Sequence, residues 1–243
     1  TLDYTRTYSE FRKDVDRAAA ALISLGVGKG DHVAIWATNV PQWFLTFWAV
    51  TKIGGVVVTV NTAYKSHEAE YLLRQSDTHT LIMIESFKDS NYKEIIEELC
   101  PELKTLEKGK PLFCKRLPFL RNVVTVGFEM DGCLEWNDML KRAVTVPQEE
   151  VRRRAAEVKP TDVCNMQYTS GTTGFPKGVM LTHLNIVNDG KIIGDRMDLS
   201  TADRMMIQVP MFHCFGMVLS MTSMMTHGGT LSPLPYYSPK SSL

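Results

Sequence analysis

Apolar residues recur at two periods along this chain, and the alternation of the two predicts its elements. Thr7 to Glu10 has the pattern of a capping box, and Phe11, Val15, Ala18, Ala19 and Leu22 follow at helical spacing until Gly26. The run HVAIWA at 32–37 is short and apolar, of strand type. Asn39 and Pro41 open a second helix that carries Trp43, Phe44, Phe47 and Trp48 and stops at Gly54-Gly55. VVVTV at 56–60 is strongly β-branched and predicts a buried strand. A helix from Ser66 and a strand TLIMIE at 80–85 come next. Further strands are expected at 122–127, 164–168, 205–210 and 229–234, with helical segments around 136–143, 149–158, 182–197 and 215–226. Residues 100–121, with three prolines, read as a long irregular connection. Strand and helix alternating at such short intervals predict an α/β fold of βαβ units with mainly parallel sheets.

Composition narrows the partners rather than the fold. The 243 residues hold 44% hydrophobic and 22% charged positions, as in ordinary globular chains. Lys plus Arg and Asp plus Glu are both 27, so no net field favours nucleic acid or an anionic membrane. The run Arg152-Arg153-Arg154 lies among Glu149, Glu150 and Glu157 and reads as a solvated helix face. Five widely spaced cysteines lack any CxxC pair or metal-ligand cluster, which predicts no metal site and unpaired thiols in a reducing compartment, the cytoplasm. The longest apolar run, around Val56 to Val60, is too short to span a bilayer, so no transmembrane segment is expected. The chain opens on Thr1 rather than Met, so a natural start upstream is expected.

One stretch departs from this ordinary background: YTSGTTGFPKGVMLTH, residues 168–183. It follows a predicted strand and precedes a helix expected near Thr182. Such a junction, outside the carboxyl ends of parallel strands, is where ligands bind. Gly171, Gly174 and Gly178 let backbone approach an anion closely. Thr169, Ser170, Thr172 and Thr173 offer hydroxyls, successive N–H groups can form a nest, and Lys177 supplies a mobile cation suited to phosphate. The Walker spacing is absent, because Phe and Pro separate Gly174 from Lys177, and no G-x-G-x-x-G fingerprint occurs. On composition alone, a phosphate loop and a polar surface turn both remain open.

The string YTSGTTGFPKGV resembles the signature loop of the adenylate-forming superfamily, which includes acyl-CoA synthetases, luciferases and peptide-synthetase adenylation domains. TYSEFRKDVDRAAAAL resembles that family's first helix, and AVTKIGGVVVTVNTAY its early segment of helix, two small residues, strand and Asn. VPMFHCFG at 209–216 resembles a segment typical of the fatty-acyl-CoA synthetase branch, with Met211 in place of Leu. Together these cover essentially the whole chain. The resemblance implies part of the large amino-terminal domain of an adenylate-forming enzyme, over residues 1–243, with the phosphate loop at 168–178. It implies ATP-dependent activation of a carboxylic acid, on this branch a fatty acid, to an acyl-adenylate and then to acyl-CoA, with coenzyme A as thiol. ATP would be held by Thr169, Ser170, Gly171, Thr172, Thr173, Gly174 and Lys177, with Lys177 as the catalytic cation. His213, Phe215, Gly216 and Met217 would lie at the acid, although Met217, Met221, Met224 and Met225 at helical spacing also read as plain core.

The family's later segments, which hold adenine, ribose and Mg2+ and supply a mobile carboxy-terminal lid with a second lysine, are not found in this sequence. The Mg2+ ligand is therefore expected outside it, and these residues alone are expected not to form acyl-CoA. A nucleotide- or acyl-binding module without ligase activity is the alternative.

Overall fold

The computed structural model describes residues 4–169 and 176–239. Thr7 caps helix α1 (Tyr8–Ser24): its hydroxyl accepts from the Glu10 N–H, and the Glu10 carboxylate accepts from the Thr7 N–H at 2.8 Å. Strand β1 (His32–Trp36), helix α2 (Pro41–Lys52), strand β2 (Val56–Thr59), helix α3 (Ser66–Gln75) and strand β3 (Thr78–Ile84) then alternate. A small hairpin of β4 (Ser86–Phe87) and β5 (Ser90–Asn91) leads into helix α4 (Tyr92–Leu99). After the long connection come β6 (Asn122–Val126), β7 (Leu134–Glu135), α5 (Trp136–Lys141), α6 (Gln148–Ala156), β8 (Val163–Thr169) and β9 (Lys177–Thr182). Helix α7 (His183–Arg196), strand β10 (Arg204–Ile207), a π-helical stretch Phe215–Thr222, helix α8 (Ser223–Thr226) and strand β11 (Thr230–Pro233) complete the described chain.

Among the described residues, seven strands form one sheet in the order β7-β6-β3-β1-β2-β8-β9. Every pair in it is parallel except β8–β9. Both faces are buried. Val33 and Ile35 of β1 point into a core with α1, α2 and the π-helical stretch, while Ala34 and Trp36 point into a second core with α3 and α4. Trp36 stacks on Tyr92 of α4 with ring centroids 4.1 Å apart, and the Tyr92 hydroxyl donates to the Thr62 carbonyl at 2.7 Å. The two-stranded parallel sheet β10–β11 stands apart from the large one.

Helix α4 has no counterpart among the predicted elements, although its signals are present. Asn91 accepts from the Glu94 N–H as N-cap, and Tyr92, Ile96 and Leu99 are buried at helical spacing. Between Leu106 and Arg121 the chain is irregular yet packed, with Leu112, Cys114, Leu117 and Leu120 buried against the second core. The arginines of α6 are paired along its solvent face: Arg153 with Glu150 and Glu157, and Arg154 with Glu150.

The larger correction concerns residues 168–183. In place of a strand running through a loop into a helix, β8 turns back as β9, and α7 starts only afterwards, with Thr182 as its N-cap. Lys177 sits opposite Thr169 and Gly178 opposite Tyr168. The sequence KGVMLT has little strand character of its own. The open edge of β8 supplies the hydrogen-bond partners that make it one.

Helix α7 lies tight against the π-helical stretch. A Cβ on Gly190 would come within 2.6 Å of Thr222 Cγ2, so the missing side chain is what permits the approach. Two hydroxyls serve the wide turns there: Ser220 donates to the Phe215 carbonyl at 3.0 Å and Thr222 to the Met217 carbonyl at 2.9 Å.

All five cysteines are unpaired thiols. Burial pushes Cys133 and Cys164 up to about 12 and raises Cys100 and Cys214, so the reactive thiolate is scarce at every one of these sites near pH 8. Cys214 alone among the five is only half-buried. Native protein treated with iodoacetamide at pH 8 should therefore label first at Cys214, with the other four reacting after denaturation. Rapid native labelling of Cys133 or Cys164 would show that the core around them opens.

Candidate functional site

The site is built at the carboxyl edge of the large sheet. Adjacent strands β1 and β2 send their following helices to opposite faces, α2 into the first core and α3 into the second. A crevice opens where neighbouring strands diverge in this way. Three buried polar side chains follow or end those strands: Asn39 after β1, Thr59 at the end of β2, and Gln167 near the end of β8.

Asn39 and Gln167 bond the segment 209–212 directly, and Thr59 bonds Gln167. The Asn39 amide donates to the Val209 carbonyl at 2.9 Å, and its oxygen accepts from the Met211 N–H at 2.9 Å. The Asn39 backbone N–H donates to the Pro235 carbonyl at 3.0 Å. Thr59 donates its hydroxyl to the Gln167 oxygen, and the Gln167 amide donates to the Phe212 carbonyl at 2.9 Å. Sequence reasoning did not single out Asn39 or Gln167 for this role. The available signal was that a polar side chain stands within or beside an apolar strand run and has to be satisfied when buried.

The segment these amides hold carries the predicted acid-site residues. Its turn closes through His213 N–H to the Pro210 carbonyl at 3.3 Å, and through Gly216 and Met217 N–H to the His213 carbonyl at 3.0 Å each. Gly216 is where the chain folds onto itself, because a Cβ there would meet the Pro210 oxygen at 2.5 Å. His213 and Phe215 are exposed, Phe215 by 50%, whereas Met217 is fully buried in the first core. Met217 thus sits where the plain-core reading of the methionine stripe puts it. The Phe215 N–H donates to His213 Nδ1 at 3.1 Å, so a neutral ring carries its proton on Nε2.

Next to β2 in the sheet stands the β8–β9 hairpin. Thr169 and Lys177 are exposed and face one another across it. Side chains alternate along a strand, so Gln167 and Thr169 share one face of β8. Helix α3 braces the hairpin from the opposite side: Tyr71 donates its hydroxyl to the Pro176 carbonyl at 3.2 Å, and Tyr168 donates to Gln75. Gly178 lies close above Met166, where a Cβ would come within 3.0 Å of its sulfur. Ser170, Gly171, Thr172, Thr173 and Gly174 lie outside the described residues. His183 opens α7 half-buried, with burial lowering its pKa. Among the described residues no group of three or more His, Cys, Asp or Glu could hold a metal ion, and no helix is long and apolar enough to cross a membrane.

A mostly parallel α/β sheet with polar side chains gathered at the carboxyl ends of its strands is the arrangement in which open α/β folds bind ligands. The family model for AMP-binding enzymes matches residues 2–241, and the chain belongs to that family. It is 44% identical over 234 residues to the Bacillus subtilis protein YngI, named as a candidate acyl-CoA synthetase, covering 96% of this chain and 42% of that one. It is 33% identical over 234 residues to the human medium-chain acyl-CoA ligase ACSF2, a mitochondrial protein, covering 94% of this chain and 38% of the relative. The fold superposes on the crystal structure of the anthranilate CoA ligase AuaEII with anthranoyl-AMP, at a TM-score of 0.80 and 24% identity over 99% of this chain and 42% of that one. The fold is therefore that of the amino-terminal domain of adenylate-forming enzymes. The chain spans about two fifths of the length of the curated relatives it matches.

The Asn39 clamp carries a stability prediction. Asn39→Ala leaves the Val209 carbonyl and the Met211 N–H without their partner, and each such loss costs about 1–3 kcal/mol when buried. Urea denaturation should show a destabilisation of about 2–4 kcal/mol, at the upper end for a single polar truncation. A change under about 0.5 kcal/mol, the range of ordinary surface substitutions, would mean that water reaches both groups.

Proposed function

We propose that this chain supplies the phosphate and acid subsites of an acyl-CoA synthetase acting on an apolar carboxylic acid, with a fatty acid as substrate class. The observation that carries the reading is the convergence, at one sheet edge, of the β8–β9 hairpin and the His213 turn, joined by the bond from Gln167 to Phe212. Membership of the AMP-binding enzyme family and the acyl-CoA ligase names of its relatives support it.

The chemistry explains the parts. An acid carboxylate attacks the α-phosphorus of ATP, the bond to the β-phosphate oxygen breaks, and pyrophosphate leaves. Nucleophile and electrophile are both anionic, so their approach needs screening and in-line alignment. Lys177 and the Thr169 hydroxyl serve the phosphates in this reading, together with Ser170, Gly171, Thr172, Thr173 and Gly174. The His213 Nε2–H is a donor suited to one carboxylate oxygen, which orients the other toward phosphorus. Phe215 offers exposed apolar surface beside it, and Gly216 keeps the turn narrow. The thiol of coenzyme A then attacks the acyl carbon of the adenylate, and AMP departs with the bonding pair. The reading includes Mg2+ as a further screen for the phosphates, with its ligand expected outside this sequence. The compartment we propose is the cytoplasm, on the ground of five unpaired thiols.

The direct test is pyrophosphate release by the full natural protein, given ATP, coenzyme A and a panel of straight-chain acids. Acid-dependent release with matching acyl-CoA is expected, and its absence for every acid would sink the reading. Lys177→Ala should then lower the adenylation rate about a hundredfold with little change in melting temperature, since the side chain is exposed and its contact forms with phosphate. A folded variant that releases pyrophosphate at the wild-type rate would remove Lys177 from the site.

Phe215 predicts specificity instead. Phe215→Ser should shift the preferred chain length while leaving the KM for ATP within about twofold, because a methylene in an apolar pocket is worth only about 1–3 kcal/mol. An unchanged acid profile would place Phe215 outside the acid pocket.

A further inference from the structure

We infer that Gln167 is a positioning residue that holds the His213 turn in register with the phosphate hairpin. The inference rests on the function proposed above and assigns to it a residue that touches neither substrate.

Gln167 is 7% exposed, and both ends of its amide are engaged. Its oxygen takes the Thr59 hydroxyl, and its nitrogen donates to the Phe212 carbonyl at 2.9 Å. A carbonyl can only accept, so Phe212 dictates which way the amide faces, and the Thr59 hydroxyl turns to suit. Thr59 is itself buried at the end of β2. The amide is therefore fixed at both ends.

The two things it joins are the two halves of the reaction. Through its own backbone Gln167 belongs to β8, two residues before Thr169 and paired with Val179 of β9. Through its side chain it holds the carbonyl of Phe212, the residue directly before His213. Asn39 secures the same segment at Val209 and Met211. Those bonds fix where the segment runs, while the Gln167 bond fixes how the peptide leading into His213 is turned. Without it the Phe212–His213 peptide is held only by the longer bond from the His213 N–H to the Pro210 carbonyl, at 3.3 Å, and it can tilt, so that the imidazole moves relative to Thr169 and Lys177. ATP then binds the hairpin as before, while the acid loses its oriented donor and binds more weakly.

The test uses the full natural protein carrying Gln167→Glu, which keeps an oxygen for Thr59 and loses the donor to Phe212. Pyrophosphate release is measured with acid varied at saturating ATP, and with ATP varied at saturating acid. The expected result is a fall of about tenfold in kcat/KM for the acid, the factor that corresponds to one lost hydrogen bond, with the KM for ATP within twofold of wild type. Gln167→Met, of similar length and unable to donate, should show the same split and guards against an effect of the added charge. Unchanged acid kinetics in a folded variant overturn the inference, as does an equal change in the acid and ATP parameters. If circular dichroism shows both variants unfolded, Gln167 is a stability residue and the assignment falls. Wild-type protein without acid-dependent pyrophosphate release overturns the proposed function and this inference together. Active wild type with no acid-specific split in the variants overturns the inference alone.

Discussion

A polar side chain buried at the end of a strand has to find partners inside the protein, and here that requirement shapes the whole carboxyl edge of the sheet. Asn39, Thr59 and Gln167 leave three adjacent strands within one buried layer. An amide left unpaired there would cost about 1–3 kcal/mol, a large share of the few kcal/mol that hold a domain together. The backbone of 209–212 satisfies Asn39 and Gln167, and Gln167 in turn takes the Thr59 hydroxyl, so the segment is drawn across the strand ends. A segment far along the sequence is thereby held beside β8, with His213 and Phe215 exposed just after it.

The rest of the molecule makes that edge rigid. The central strands β1, β2 and β3 are buried on both faces, so they cannot shift without breaking two cores at once. Helix α3 grips the hairpin through Tyr71 and Gln75, and α7 packs against the π-helical stretch across Gly190. The wide turns of that stretch follow directly after the His213 turn, where chain direction has to change sharply over Gly216. Irregular helix geometry thus directly follows the His213 turn, and such π-helical turns are frequent at functional sites in proteins.

Much of this was legible in the sequence. The capping box at Thr7, the β-branched run at 56–60 and the alternation of periods specify local structure because each depends on neighbours within a turn or two. Asn91 and the buried positions of α4 carried the same kind of signal, and a closer count of the period would have found that helix. The hydroxyl- and glycine-rich string around Lys177 was legible as a candidate anion loop, although residue types alone left a polar surface turn open beside it. The resemblance of that string to a known family extended the reading to the fold, which the family model and the superposition bear out.

What the sequence by itself determined, then, is the set of elements with strong local periods and the chemical character of two segments. The tertiary structure decided the rest. Lys177–Thr182 is a strand because β8 offers an open edge, and nothing in KGVMLT required it. Gln167 reads as one more residue of an apolar strand until Phe212, forty-five positions away, is seen to accept its hydrogen bond. Met217 and Phe215 look alike as apolar neighbours of a histidine, yet one is sealed in the core and the other stands at the surface. Local pattern fixes which groups a segment presents; only the packing of distant segments fixes which of them meet, because burial and hydrogen-bond satisfaction are properties of the folded whole.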